Sequence, residues 1–175
     1  PTLIEVLETI ETAQDWAARP FRLAVQYVNR PNLDFRGFCG VISAGRVKPG
    51  QEIVALPSGR KSRVARIVDY KRDLAEAQAG QSVTLTLEDE IDVSRGDVLA
   101  AADAPAQVTD QFAAHIIWMA DAEMLPERQY LFKFGPAEAY GAVTELKHKI
   151  NVNTLEKASG KTAKLNEVVF CNVAL

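Results

Sequence analysis

Apolar and polar residues alternate along most of the chain, and this pattern predicts a mainly β fold. Apolar positions recur every second residue from Phe21, and again within Phe35–Ala44 and Ser82–Val93. Turns rich in glycine and proline separate the runs, as at Lys48-Pro49-Gly50. Short strands with turns between them favour small antiparallel barrels over a parallel sheet.

The spacing of these runs predicts two antiparallel β-barrels in tandem, at 21–103 and 104–175, preceded by one helix within 1–20. Proline and small residues at 102–109 mark the boundary between the barrels. The predicted strands of the first barrel are 21–28, 35–44, 52–56, 60–70, 82–93 and 98–101, with a loop at 74–81. Those of the second are 112–118, 130–134, 140–152 and 164–173. The second set is short for a barrel, so we expect a strand or hairpin to be missing from it.

In the first 18 residues, the apolar positions recur with the spacing of a helix instead. Thr2-Leu3-Ile4-Glu5 matches a capping box, and Arg19-Pro20 ends the predicted helix. Leu3, Leu7 and Ile10 share one face, and Glu5, Glu8 and Glu11 point elsewhere. A helix of this length is marginal alone in water, so we expect its apolar face to pack against a barrel or a neighbouring chain.

Composition narrows the classes of function. The chain is 47% hydrophobic and 25% charged, with a net charge of −3, so bulk charge gives no support to a nucleic-acid partner. No apolar run is long enough to span a membrane, and residues 1–19 do not resemble a signal peptide. Cys39 and Cys171 lie far apart, without a metal-ligand or disulfide pattern, which favours a reduced, cytoplasmic setting. Because the chain begins at Pro1, we treat it as part of a longer protein.

Candidates for catalysis are few. His115 and His148 have no Cys, Asp or Glu at ligand spacing, which favours a structural or surface role over metal binding or acid–base chemistry. Gly37, Gly40 and Gly45 lie in a strand that leads to another strand, whereas a phosphate loop leads into a helix. We interpret these glycines as bends of a barrel, and we predict no catalytic, cofactor-binding or metal-binding residue.

Three other features have competing interpretations. The first is a basic cluster, for which a solvated edge strand, an acidic partner and single-stranded nucleic acid are all open, although stacking aromatics are lacking. The second is the acidic corner at 88–92, which we interpret as a solvated turn and not as a cation site, because it lacks the spacing of a calcium loop. The third is Cys39, which we interpret as a small core residue and not as a reactive thiol, because no feature that would lower its pKa is evident. The basic cluster consists of Arg60, Lys61, Arg63, Arg66, Lys71 and Arg72.

Motifs in the first barrel resemble a known family. R-G-F-C-G-V-I-S-A-G-R-V-K-P-G-Q-E-I at 36–53 resembles the second domain of translation-factor-type GTPases, a β-barrel followed by a second barrel in relatives of elongation factor Tu. V-Q-Y-V-N-R-P-N-L-D-F-R-G at 25–37 is more specific and resembles the large, GTPase subunit of bacterial sulfate adenylyltransferase. L-P-S-G at 56–59, V-A-R-I-V at 64–68 and L-E-D-E-I-D-V-S-R-G-D at 87–97 resemble the same family, and W-M-A at 118–120 does so more loosely.

The resemblance implies a role in sulfate assimilation. In that family the large subunit binds and hydrolyses GTP, with Mg, and pairs with a small subunit that forms adenosine 5′-phosphosulfate and pyrophosphate from ATP and sulfate. Some relatives carry a fused adenylylsulfate kinase. The phosphate loop, the D-x-x-G switch and the N-K-x-D motif belong to a GTPase domain upstream of Pro1, whose last helix residues 1–20 resemble. This chain alone is therefore expected neither to bind GTP nor to form the product.

The part expected here is a rigid barrel pair that couples the GTPase domain to the small subunit. The loop 29–36 is our candidate for the partner contact, and a purely structural loop is the open alternative. A barrel module that contacts RNA or the ribosome, and a carbohydrate- or peptide-binding barrel, are the alternative functions. The candidate contact residues are Asn29, Arg30, Asn32, Asp34 and Arg36.

Overall fold

The computed structural model describes residues 2–9, 15–70 and 72–175. They fall into two compact units, 1–106 and 107–175. Both units are built mainly from antiparallel strands, so the predicted mainly β fold is confirmed. No helix in the described part of the chain is long and apolar enough to cross a membrane.

The first unit contains a closed six-stranded barrel. Its strands pair in the order β1-β9-β5-β6-β8-β3, and β3 pairs back with β1. β2 lies outside the ring, where it pairs with β3, and β4 pairs with β7 in a small separate sheet. The elements are α1 Leu3–Thr9, a 3₁₀ helix Trp16–Ala18, β1 Arg22–Ala24, β2 Tyr27–Asn32, β3 Phe35–Ala44, β4 Arg46–Val47, β5 Glu52–Leu56, β6 Arg60–Val68, β7 Ala77–Gln78, β8 Ser82–Leu87 and β9 Val98–Ala101.

Because apolar and polar residues alternate along the strands, one set of apolar side chains points into the barrel. Leu23, Ile53, Leu85 and Leu99 are fully buried there, because successive side chains of a strand point to opposite faces. Burial of apolar surface at ~25 cal/mol per Å² is the main force that holds the barrel together.

Glycines allow the chain to turn and to approach itself closely. A Cβ on Gly40 would lie 2.5 Å from the carbonyl oxygen of Ala24, so only glycine lets these two backbones come together here. Gly50 has a φ of +81°, and the amide of Gln51 donates to the carbonyl of Lys48 at 3.2 Å. This confirms the predicted turn at Lys48-Pro49-Gly50.

The predicted helix is shorter than expected. The capping box is confirmed, because the Thr2 amide donates to Glu5 Oε2 at 2.8 Å and the Glu5 amide donates to Thr2 Oγ1 at 3.3 Å. The described part of the α-helix is nevertheless Leu3–Thr9, and Asp15 has a non-helical ψ of 80°, so the helix does not reach residue 18 as predicted. Leu3 and Leu7 are exposed, so the structure does not show the expected packing against a barrel. The predicted positions Ile10 and Glu11 lie outside the described residues.

Two further predictions were wrong. The predicted loop 74–81 contains the short strand β7, which pairs with β4. The predicted strand 82–93 ends at Leu87, because the Ile91 amide donates to the carbonyl of Asp89 and turns the chain out of the sheet. Ile91 and Val93 are still buried, although they belong to no strand.

The second unit is a half-barrel with an open sheet. Its strands are β10 Gln111–Ile117, β11 Gln129–Phe134, β12 Ala137–Ile150, β13 Lys157–Ala158 and β14 Val168–Ala174. The sheet order is β10-β14-β12-β11, with β13 paired to β12. Within the described residues β10 and β11 each have one paired neighbour, so the apolar concave face opens between them. Met124, Val143 and Cys171 are fully buried in its core.

Candidate interaction surface

The predicted contact loop is a β-hairpin. β2 and β3 pair almost to the tip, where Asn32 faces Phe35 across a turn at Leu33-Asp34. Asn32 Oδ1 accepts a hydrogen bond from the Asp34 amide at 3.1 Å and fixes this turn. The interpretation of 29–36 as a loop was therefore wrong, because Asn29 and Asn32 pair with β3, with an irregularity between them.

The five candidate residues do not share one environment. Arg30, Asn32 and Asp34 are exposed near the tip, whereas Asn29 and Arg36 are half-buried. Arg36 ties the hairpin to the loop after β8, since its guanidinium donates to the Val93 carbonyl at 3.4 Å and lies 3.6 Å from an oxygen of Asp92. Arg36 thus has a structural contact, and the tip is the free part of the hairpin.

An exposed apolar residue of the tip was missed by the sequence analysis. Leu33 is 86% exposed between polar neighbours. An exposed leucine is unremarkable alone, but at the end of a projecting hairpin it offers apolar area to a partner. The apolar side chain at the centre of the N-R-P-N-L-D-F-R-G motif was the signal that could have identified it.

A cleft of about 250 Å³ lies beside the hairpin tip. Asp34 and Arg36 of the hairpin line one side, and Asp89 and Glu90 of the acidic corner line another. Ser62 holds this corner in place, because its hydroxyl donates to Asp89 Oδ2 at 2.8 Å and accepts from the Asp89 amide at 3.2 Å. The fold thus brings together two segments that the sequence analysis treated separately.

Four residues of the basic cluster lie on β6, which is not an edge strand, so the edge-strand interpretation was wrong for them: Arg60, Lys61, Arg63 and Arg66. β6 pairs with β5 on one side and β8 on the other within the closed barrel. A bulge between Val64 and Arg66 also changes the alternation, so that Arg63 and Arg66 are both exposed while Val64 and Ile67 are buried. The strand therefore presents its basic residues on the outer surface of the barrel.

Arg66 already has a partner. Its Nε and one terminal nitrogen donate to the two carboxylate oxygens of Asp73 at 2.7 and 3.0 Å. This two-point hydrogen bond holds the pKa of Asp73 below its usual value. Lys71, the neighbouring member of the predicted cluster, lies outside the described residues.

Cys39 lies on the outer side of its strand rather than in the core, which corrects the prediction for this residue. It is half-buried, and its Sγ lies 3.2 Å from Thr84 Oγ1. Together with Gly40, Ser82 and Tyr70 it lines a shallow groove on the barrel.

Comparison with known proteins identifies the family. Residues 111–175 match the model of the GTP-eEF1A C-terminal domain-like family. The chain is 51% identical over 173 residues to sulfate adenylyltransferase subunit 1 of Aliivibrio fischeri strain MJ11, covering 99% of this chain and 36% of that protein. The chain belongs to the family of sulfate adenylyltransferase subunit 1. The chain spans little more than a third of the length of this relative.

Longer relatives of the subunit 1 family are also similar. The bifunctional enzyme NodQ of Rhizobium sp. strain N33 is 49% identical over 174 residues, covering 99% of this chain and 27% of that protein. The bifunctional enzyme CysN/CysC of Xylella fastidiosa strain Temecula1 is 47% identical over 175 residues, covering all of this chain and 28% of that protein.

Solved structures support the same fold for this subunit 1 family member. Sup35 in complex with GDP superimposes with a TM-score of 0.81 at 20% identity, covering 99% of this chain and 43% of that chain. Sup35 in complex with GMPPNP gives a TM-score of 0.77, with the same identity and coverage. At this identity the likeness shows the fold, which is that of the two barrels of translation-factor-type GTPases.

The two histidines of this subunit 1 family member lie on one face of the half-barrel. The rings of His115 and His148 lie 4.7 and 5.2 Å from the ring of Phe170, one on each neighbouring strand. Burial lowers the pKa of His148, and the positive charges of Lys157, His115 and Lys147 lower it further. Among the described residues, no group of three His, Cys, Asp or Glu side chains is arranged to hold a metal ion.

Proposed function

We propose that this chain is the non-catalytic barrel module of the large subunit of sulfate adenylyltransferase. The parent enzyme would convert ATP and sulfate into adenosine 5′-phosphosulfate and pyrophosphate, driven by GTP hydrolysis, in the cytoplasm. The observation that carries the proposal is the 51% identity to sulfate adenylyltransferase subunit 1 over 173 residues. The module would couple the GTPase domain of its own chain to the small adenylylating subunit.

GTP and Mg would be bound by another part of the parent protein. The sequence contains no G-x-x-x-x-G-K-S/T motif, and the glycines at 37, 40 and 45 lie within or after β3, where strand leads to strand. These residues therefore do not fit a phosphate site. The helix α1 would be the end of the GTPase domain, and its exposed Leu3, Ile4 and Leu7 fit that role. The names of the bifunctional relatives also fit the proposal that a kinase is fused in some parents.

The tip of the β2–β3 hairpin is the proposed contact with the small subunit. Arg30, Asn32 and Asp34 are exposed there around the apolar Leu33. An apolar anchor with a polar rim is the usual arrangement at protein–protein interfaces. A rigid barrel would transmit movement of the GTPase domain to such a contact, because β3 belongs both to the hairpin and to the ring of strands.

Binding to the purified small subunit tests this function. We expect the chain to retain the small subunit in a pull-down, and the R30A/L33S variant to bind it at least about tenfold more weakly, as expected for an anchor at an interface. The R60A/V152S variant is the matched control, since it also removes one exposed arginine and one exposed apolar side chain. Retention of tRNA without the small subunit would contradict the proposal and favour the RNA-contacting alternative.

A further inference from the structure

The cleft beside the hairpin tip has an apolar floor and a charged rim. Phe35, Phe38 and Leu87 line it together with the carboxylate-bearing residues Asp34 and Glu90. Phe35 and Leu87 are half-buried, so part of their apolar surface faces the cleft. Such a site can hold the methylene stem of a long side chain along its floor while its rim binds the charged head.

The arginines of the cleft are already engaged. Arg36 lies 3.6 Å from Asp92 and 5.4 Å from the centre of the Phe38 ring, and Arg66 is held by Asp73 at 2.7 Å. In contrast, the carboxylates of Asp34 and Glu90 have no ion-pair or hydrogen-bond partner among the residues that the structure describes. Among the described residues, the rim therefore presents two carboxylates that form no ion pair with a lining arginine.

A buried polar group in the same cleft also lacks a partner. The hydroxyl oxygen of Thr86, a lining residue, is shielded from solvent and has no hydrogen-bond partner in the described part of the chain. Leaving such a group unpaired costs free energy, which a ligand group that pairs with the hydroxyl would recover. This observation is independent of the charges on the rim, and it indicates a polar ligand group, because a hydroxyl both donates and accepts hydrogen bonds.

We propose that this cleft receives an arginine side chain of the small adenylylating subunit. This inference rests on the proposed function, which supplies the partner. A guanidinium carries five N–H donors in a plane, pairs with carboxylates at two points and stacks on aromatic rings. Asp34, Glu90 and the Phe35 ring offer those contacts. A lysine would make only point-charge contacts and would not stack in the same way.

A titration without the partner tests the cleft itself. The ¹⁵N-labelled chain is titrated with acetyl-Gly-Arg-Gly-amide and, as the neutral isostere, with the same peptide containing citrulline. We expect the arginine peptide to shift the amide signals of Phe35, Leu87 and Glu90, and D34N/E90Q to weaken this binding about tenfold. D103N is the control, since Asp103 is exposed and does not line the cleft. Absence of these shifts, or equal shifts with citrulline, would overturn the proposal.

Binding of the small subunit then tests the source of the arginine. We expect D34N/E90Q to weaken this binding about tenfold and to reduce its salt dependence, with D103N unchanged. If R30A/L33S loses the small subunit while D34N/E90Q retains it, the proposed function stands and the cleft is not used. If the unaltered chain fails to bind the small subunit but binds the arginine peptide, the proposed function fails, and so does the assignment of the arginine to that subunit.

Discussion

At the scale of single residues, the two cysteines have different surroundings. Cys171 is fully buried, and its thiol points toward the Ala114 carbonyl at 3.8 Å. Burial raises the pKa of this thiol to about 11, because the thiolate would lose its hydration inside the apolar core. Cys39 is half-buried on the outside of the barrel, where its sulfur contacts Thr84.

The buried thiol makes the stability of the half-barrel depend on alkaline pH. The pKa of the Cys171 thiol is higher in the folded state than in the unfolded state. The contribution of the protonated thiol to the free energy of unfolding is therefore complete below the unfolded pKa near 9 and is lost as the pH rises toward 11. We expect the free energy of unfolding of the half-barrel to fall over this range by less than the ~1.4 kcal/mol per pH unit of one full proton.

Urea unfolding of the W16F protein, followed by Trp118 fluorescence, measures this effect in the half-barrel. C171A should remove part of the pH dependence, and C39A should retain more of it than C171A, because C39A leaves the buried thiol in place. The comparison between the two variants is decisive, because each removes one cysteine and only C171A removes the buried thiol. Identical slopes for C171A and C39A would show that the Cys171 thiol does not contribute.

At the scale of elements, α1 and β1 differ in how far they depend on packing. Leu7 of α1 is 64% exposed, whereas Leu23 of β1 is fully buried in the barrel. We expect L7D to change the free energy of unfolding of the first unit by less than about 0.5 kcal/mol. L23A should lower it by about 2–5 kcal/mol, because it leaves a cavity in the core.

Urea denaturation and amide exchange of the same two variants check this expectation. Amides of α1 should exchange rapidly, since a helix this short is marginal without a partner surface. A loss of several kcal/mol in L7D, or slow exchange throughout α1, would instead show that the helix packs against a barrel or a neighbouring chain in solution.

The alternating pattern predicted some strands at their observed bounds and misplaced others, for physical reasons. β3, β5 and β9 follow the prediction, because alternation and flanking turns coincide there. Ile91 and Val93 continue the alternation beyond β8 and are buried without pairing, since periodicity reports burial rather than hydrogen bonding. β4 and β7 are too short to show any period.

The candidate surface was predictable only in part. The crowding of polar residues around Pro31 indicated an exposed segment, and the exposure of Arg30, Asn32 and Asp34 agrees with that interpretation. The cleft could not be predicted, because it joins the hairpin to Glu90 through space and not along the chain. A bulge between Val64 and Arg66 shifts the register of β6, and Arg63 and Arg66 are both exposed as a result.

At the scale of the whole molecule, the two units differ in how completely they enclose their cores. The strands of the first unit form a ring, which leaves no open edge in the barrel. The sheet of the second unit ends at β10 and β11, and a groove of about 680 Å³ opens there among aromatic and aliphatic side chains. Met119 and Leu131 of this groove are 82% and 56% exposed.

This open groove should bind an apolar dye. Exposed apolar concavities of this size take up aromatic ligands, because binding removes apolar surface from water. We expect the chain to enhance the fluorescence of anilinonaphthalene sulfonate, and M119S/L131S to reduce the enhancement by about half or more through loss of apolar contact area. V108S/V152S is the matched control, since both valines are 61% exposed and neither lines the groove. Circular dichroism should be the same for both variants, because all four side chains are largely in water. Equal dye binding by the two variants would place the dye elsewhere and would show that the groove is closed in solution.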